Sequence, residues 1–238
     1  ALQLFVQGHM IDLSGEGDGA VYSVPEERRI ALEYYKNNIL HFFVPQGLIA
    51  LALLPYKGTP VAKAELRDSV KELSRFFKYD FVFRVGVDFD TAFDDVLQRM
   101  ISGNEVVEKD GMCGISQAAE AAHLELYAGM LQSFLESYRL AARGTTFLFK
   151  GKVSVKDWLK RTLALGQRMY LSGEIRRREA LSRPNLESAL QLLKDQHWVQ
   201  ADATQSLMAG AMLKDKTDAD KVEHQIAKYL INSNSFNP

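Results

Sequence analysis

The stretch EYYKNNILHFFVPQGLIALALL, Glu33 to Leu54, is polar in its first half and as apolar as a membrane anchor in its second. Its apolar run, Ile39 to Leu54, is 16 residues long and contains Pro45. A spanning helix needs about 20 apolar residues. Proline has no N–H to give and its ring clashes with the preceding turn, so no clean helix passes through Pro45. The pattern predicts a helix that ends near His41, a break at Val44-Pro45, and a short buried helix closed by Pro55 and Gly58. The segment before it, Glu26 to Leu40, reads as a helix that starts charged and turns apolar.

Outward from this corner, most of the sequence has helical periodicity. Leu66, Val70, Leu73 and Phe77 form one stripe over Ala62 to Phe77. FKYDFVFRV follows, with Phe81, Phe83 and Val85 alternating as in a short strand. Thr91 to Ile101 reads as a helix with Asp90 as N-cap and Phe93, Val96, Leu97 and Met100 inward. Asp110-Gly111 between apolar residues signals a hairpin, and helix followed by hairpin is the tail of a winged-helix module. Ile115 to Arg143 is the longest predicted helix, with Gly144 as its stop. Ser154 and Asp157 fit a capping box for the next helix, which runs toward Gly173. Ser182 with Pro184 opens another helix, WVQAD suits a strand, and Thr217 and Asp220 suit the cap of a last helix. The expected fold class is therefore mainly α, a multi-helix domain with short strands or hairpins of winged-helix type. The expected division is a loop and lead-in segment (1–25), a helical lobe with strand and hairpin (26–114), a second lobe with another winged-helix-like element (115–231), and a tail (232–238).

At 238 residues, 47% hydrophobic and 25% charged, the chain has apolar side chains enough for a sizeable core. A formal net charge of −1 with no long block of one sign gives no general reason to expect nucleic acid as a partner. One cysteine, Cys113, permits no internal disulfide, which suits a reducing compartment. ALQLFVQGHMID has neither the basic flank nor the apolar length of a signal peptide. The abrupt start inside an apolar run suggests a piece of a longer protein.

Few residues pattern as chemistry. GEGDGA, Gly15 to Ala20, formally matches a dinucleotide fingerprint, but Glu16 and Asp18 would repel phosphate and VYSVP follows where a helix N-terminus is required. A calcium loop starting at Asp12 would need a carboxylate at the place of Ser23. His197 and Asp202 have the H-x-x-x-x-D spacing in which aspartate orients a histidine base. No downstream glycine-rich or arginine-bearing segment accompanies them. The remaining histidines lack metal-ligand spacing, so neither metal nor cofactor is expected. Arg176, Arg177, Arg178 and Arg183 form a compact basic cluster that suits a phosphate or anion, or a solvated face neutralised by Glu174 and Glu179. The candidate recognition helices, Thr91 to Ile101 and Leu186 to Lys194, carry or adjoin Asp94, Asp95, Glu187 and Asp195, which would oppose DNA.

Tyr35-Lys36-Asn37-Asn38-Ile39-Leu40-His41-Phe42-Phe43 resembles the Tyr-Arg/Lys-Asn-x-x-x-His-x-Phe signature in the C-terminal half of the membrane-associated glycerol-3-phosphate and dihydroxyacetone-phosphate acyltransferases. Leu73 to Phe83 (LSRFFKYDFVF), Phe134 to Tyr138 (FLESY) and Gly173 to Leu190 are similar to later segments of that family, in the same order. The resemblance covers roughly Val21 to Ile231. It implies a region of an enzyme of phospholipid biosynthesis that acylates the first hydroxyl of glycerol 3-phosphate, with acyl-CoA or acyl carrier protein as donor, at the cytoplasmic membrane face. The family's histidine-aspartate motif, glycine-rich block and arginine-bearing block lie upstream of the matching region and are not in this sequence. No catalytic role is carried over to His197 or Asp202. The implied role is a non-catalytic C-terminal helical domain that packs on the upstream acyltransferase domain of the same polypeptide.

Tyr35, Asn37, Asn38 and His41 are then candidates for docking that domain. At helical spacing Asn37 and His41 share a face, as do Tyr34 and Asn38. A polar cluster inside the domain that fixes helix register is the plain alternative. A stand-alone winged-helix regulatory domain and an independent enzyme using His197 and Asp202 are the competing functions.

Overall fold

A computed structural model describes residues 2–81, 86 and 88–230. The chain divides into two compact units, Ala1–Phe42 and Phe43–Pro238. The first contains α1 (Leu2–Gln7), a hairpin of β1 (Asp12–Ser14) and β2 (Val21–Ser23), and α2 (Arg29–Leu40). The two strands pair antiparallel, Leu13 opposite Tyr22, and Gly17–Gly19 form a single 3-10 turn between them. GEGDGA is thus a hairpin loop. No phosphate-binding helix follows it, as the acidic residues lead one to expect.

The second unit is mainly α. Its first helix, α3 (Val44–Leu53), carries Pro45 in its first turn, where the missing N–H would have had no intrahelical partner. Val44 and every residue from Gly47 to Leu53 are buried. The apolar run is a core helix. Among the described residues no helix is long and apolar enough to cross a membrane. α3 packs against α4 (Lys63–Phe76), α5 (Phe89–Ser102) and α6 (Ala122–Gly144). Gly47 is the point of closest approach to α6. A Cβ there would lie 2.8 Å from Leu131 Cδ1 and 3.1 Å from the Tyr127 carbonyl oxygen, so only glycine lets the helices meet at this depth.

α6 is the central element, in contact with α3, α7 (Val155–Leu171), α8 (Arg183–Asp195) and α9 (Lys216–Ala227). One order of elements occurs twice around it. β3 (Val61–Ala62) precedes α4 and α5, and the hairpin of β4 (Val106–Lys109) and β5 (Met112–Ile115) follows. β6 (Val153–Ser154) precedes α7 and α8, and β7 (Val199–Ala201) and β8 (Ser206–Ala209) follow. In both small antiparallel sheets the short leading strand pairs with the last one, in the orders β3-β5-β4 and β6-β8-β7. Asp110 and Gly111, both at positive φ (53° and 74°), make the β4–β5 turn expected of an Asp-Gly pair.

Several boundaries differ from the sequence reading. α5 is capped by Asp88, whose carboxylate accepts from the Asp90 and Thr91 N–H groups, because Asp90 is already inside the first turn. α6 begins at Ala122 rather than Ile115, which is the last residue of β5: strand pairing with Val106 takes precedence over helix continuation. Gly144 ends α6 with helical dihedrals (φ −64°), not as a left-handed stop. It is a close-approach residue, with Thr162 and Trp158 against it and its carbonyl accepting from Trp158 Nε1 at 3.0 Å. α9 is capped by Asp215, whose carboxylate accepts from the Asp218 N–H at 3.1 Å, two residues ahead of the Thr217–Asp220 pair. Of the expected Ser154–Asp157 capping box the serine half is present, Ser154 Oγ accepting from the Asp157 N–H at 3.1 Å and donating to the Asp157 carboxylate at 2.8 Å. Phe83 and Val85 of the expected aromatic strand lie outside the described residues. Phe81 is not in a strand.

Candidate functional site

The segment holding Tyr35, Asn37 and Asn38 is helical, and their side chains lie outside the described ones. His41 caps the end of α2 in αR geometry, its N–H bonded to the Ile39 carbonyl. The His41 ring is exposed and lies 3.9 Å, centroid to centroid, from that of Phe42. Ile39 and Phe42 are exposed at 55% and 66%. The end of α2 thus presents an imidazole against an exposed phenyl ring, with Ile39 also exposed.

Arg176, Arg177 and Arg178 are exposed, and Arg183 pairs with Glu187 one helical turn on at 2.8 Å. What is organised is the backbone beneath them. Glu136, 5% exposed, accepts from the Arg176 and Arg177 N–H groups at 3.0 and 2.9 Å. Burial pushes the Glu136 carboxyl above its usual range, and those two N–H groups oppose the shift. The next residue, Ser137, donates to the Ala180 carbonyl at 2.7 Å. Tyr138 donates to Asp80 at 2.6 Å. Three segments far apart in sequence, around Asp80, Glu136–Tyr138 and Arg176–Ala180, therefore meet on one stretch of α6.

Asp80 is the most perturbed carboxylate near neutrality. Burial pushes it up to about 6, against the hydrogen bonds from Tyr138 and Ser188. Phe77, Phe81 and Phe134 surround the pair, with Phe77–Phe134 and Phe77–Tyr138 edge-on at 6.5 and 6.1 Å. Lys78 and Tyr79, immediately before, both bond Asp195 at the end of α8. The α4–α5 connection is thus tied to both α6 and α8. On the other side of α6, Arg139 and Arg143 clamp Glu223 of α9 at 2.9 and 2.8 Å, and Arg143 also reaches Glu174 at 2.5 Å.

A second polar group surrounds Glu105, 8% exposed, whose Oε1 takes Tyr127 Oη and meets His123 Nδ1, each at 3.0 Å. Sequence reasoning missed Asp80, Glu105 and Glu136 as organising residues. The visible signal for Glu136 was a carboxylate inside the apolar stripe Leu131–Phe134–Leu135–Tyr138. Nothing local marks Glu105 or Asp80, because their partners are 22 and 58 residues away.

His197 and Asp202 both take part in local structure around β7 and β8. His197 sits at φ 59°, a left-handed corner whose carbonyl accepts from the Met212 N–H. Asp202 accepts from the Thr204 and Ser206 N–H groups at 2.9 and 3.0 Å and pairs with Lys152 at 2.9 Å. These contacts hold its carboxyl well below the usual range. Its Oδ1 serves the β7–β8 turn and its Oδ2 takes Lys152. Among the described residues no group of three or more His, Cys, Asp or Glu side chains gathers as metal ligands would.

A family model for the glycerol-3-phosphate acyltransferase C-terminal region matches residues 1–202. The chain belongs to this family. It is similar to the plsB1 protein of Mycobacterium tuberculosis, named as an acyltransferase, at 23% identity over 208 residues, 85% of this chain and 34% of that protein. The glycerol-3-phosphate acyltransferase of Alteromonas mediterranea is 24% identical over 205 residues, 82% of this chain and 24% of the relative. That of Shewanella oneidensis is 27% identical over 129 residues, 54% of this chain and 15% of the relative. The chain thus spans about a third or less of the length of these curated relatives. In family terms, the hub on α6 is where the LSRFFKYD, FLESY and GEIRRREA segments converge.

Proposed function

We propose that this chain is the non-catalytic C-terminal helical domain of a glycerol-3-phosphate 1-O-acyltransferase of phospholipid biosynthesis, and that it supports an acyltransferase domain upstream in the same polypeptide. The observation that carries the reading is the convergence of the family segments on α6. Glu136, Ser137 and Tyr138 are buried and hydrogen-bonded to Asp80 and to the Arg176–Ala180 backbone, so they hold the domain together. Acyl-CoA or acyl carrier protein and glycerol 3-phosphate would be handled by the upstream domain. The end of α2 is its docking point: Tyr35, Asn37, Asn38 and His41 lie on its last turns, and the exposed Ile39 and Phe42 gain by leaving water against a protein surface. The enzyme would work at the cytoplasmic face of the membrane, in peripheral contact with it.

The twice-repeated order of helix, short strand, two helices and hairpin supports a winged-helix type for both modules. Nucleic acid remains an unsuitable partner. The helix that would enter a groove in the first module, α5, exposes Asp90, Asp94 and Asp95. Its counterpart α8 has Asp195 bonded by Lys78 and Tyr79.

Two measurements test the reading. Incubated with glycerol 3-phosphate and labelled acyl-CoA, this chain should turn nothing over, and turnover abolished by His197→Ala would overturn the assignment. In the full-length enzyme, Asn38→Ala and His41→Ala should reduce activity while the melting of this domain stays nearly unchanged. Domain destabilisation that accounts for the whole loss would place these side chains in a register-fixing role instead.

A further inference from the structure

The outward face of α7 carries four basic residues and one acid. At 100° per residue, the exposed positions Lys156, Lys160, Arg161, Ala164, Gln167, Arg168 and Leu171 fall within one arc of about 140°. The inward arc holds the buried Trp158, Leu159, Thr162, Gly166 and Met169. Among the described residues Lys156, Lys160, Arg161 and Arg168 have no ion-pair partner. The one acid on the arc, Asp157, is engaged by Ser154 Oγ at 2.8 Å. Leu171 lies in line with the charges at the end of the helix, 81% exposed.

The corresponding helix of the first module, α4, is built differently. It carries Glu65, Asp68 and Glu72 among its bases. Lys63 pairs with Asp94, Arg67 with Asp90, and Glu72 with Lys228. Among the described residues, two of the four basic residues of α4 are thus ion-paired, against none of the four on α7.

We propose that this face of α7 rests on an anionic phospholipid surface. Four cations spread over about 18 Å of a convex ridge (1.5 Å per residue) cannot all enter a narrow groove, whereas a flat sheet of negative headgroups meets them together. An exposed leucine beside them suits the headgroup–acyl boundary, where an apolar side chain gains by leaving water. The assignment gives a surface to the membrane contact proposed above and rests on that reading, but it does not depend on docking to a catalytic domain.

The test is co-sedimentation of this chain with vesicles of phosphatidylcholine mixed with phosphatidylglycerol, and with vesicles of phosphatidylcholine alone. Binding should require the anionic lipid and fall as salt is raised. The fourfold variant Lys156→Gln, Lys160→Gln, Arg161→Gln, Arg168→Gln should bind at least about tenfold more weakly, with unchanged melting and circular dichroism. The control Lys71→Gln, Arg75→Gln on α4 should bind as the parent does. Anionic-vesicle binding retained by the fourfold variant would overturn the assignment to α7 while leaving membrane contact standing. Absence of binding to anionic vesicles at low salt, or equal binding to both kinds, would overturn an electrostatic lipid contact altogether. Selective retention on an acidic protein without vesicle binding would assign the face to a protein partner and likewise overturn the proposal.

Discussion

Tyr138 Oη donates a 2.6 Å hydrogen bond to the carboxylate of Asp80, joining the α4–α5 connection to the middle of α6. Tyr138 is 2% exposed and Asp80 is held at about 6 by burial. Tyr138→Phe removes the donor and leaves the carboxylate with Ser188. The expected cost is about 1–3 kcal/mol, the usual penalty for orphaning a buried polar group, read from the urea unfolding midpoint.

The same carboxylate sets a pH dependence. Its folded pKa lies above the ordinary aspartate value of 3.8, so the folded state binds the proton more tightly than the unfolded one. Stability from this group is present below about pH 4, falls as pH rises, and has gone once pH passes about 6, a total of about 3 kcal/mol. Asp80→Asn should flatten the melting profile over that window relative to the parent. An unchanged difference between the two profiles from pH 4 to pH 7 would contradict the assignment.

Glu136 holds the Arg176–Arg177 turn through two backbone N–H groups. Glu136→Ala should destabilise by about 2–3 kcal/mol, since hydrogen bonds to a charged group are the stronger ones. Glu136→Gln, which keeps one acceptor, should cost less. Hydrogen exchange of the Arg176 and Arg177 amides should accelerate in both, most in the alanine variant.

Gly47 permits the close contact of α3 and α6. Gly47→Ala places a methyl group 3.1 Å from the Tyr127 carbonyl oxygen and 2.8 Å from Leu131 Cδ1. The side chain can move and the backbone cannot, so a loss of about 1–3 kcal/mol is expected despite the better helix propensity of alanine. Gly47→Val should cost more. Thermal melting decides the order.

His197→Asn should leave the activity of the full-length enzyme unchanged, because asparagine tolerates the left-handed backbone at φ 59° and no reacting group is removed. Asp202→Ala should speed exchange at the Thr204 and Ser206 amides, whose acceptor it deletes, again without effect on turnover.

The sequence by itself determined which segments are helical and which faces are buried. Stripes such as Leu66–Val70–Leu73 and the run from Leu48 to Leu53 can be hidden in only one way, and Pro45 marks where a new helix starts. It also determined the Asp110-Gly111 hairpin and the Ser154 cap, because those bonds join residues three or four positions apart. The tertiary structure alone decided the two-residue strands β3 and β6, which have no periodicity to read and exist only because β5 and β8 offer an edge. It alone moved the start of α6 from Ile115 to Ala122, since strand pairing with Val106 outweighs local helix preference. And it alone made Glu136, Ser137 and Tyr138 the meeting point of three segments. A hydrogen bond between residues 40 or 58 positions apart leaves no local trace, since its energy depends on where the chain has already been brought together.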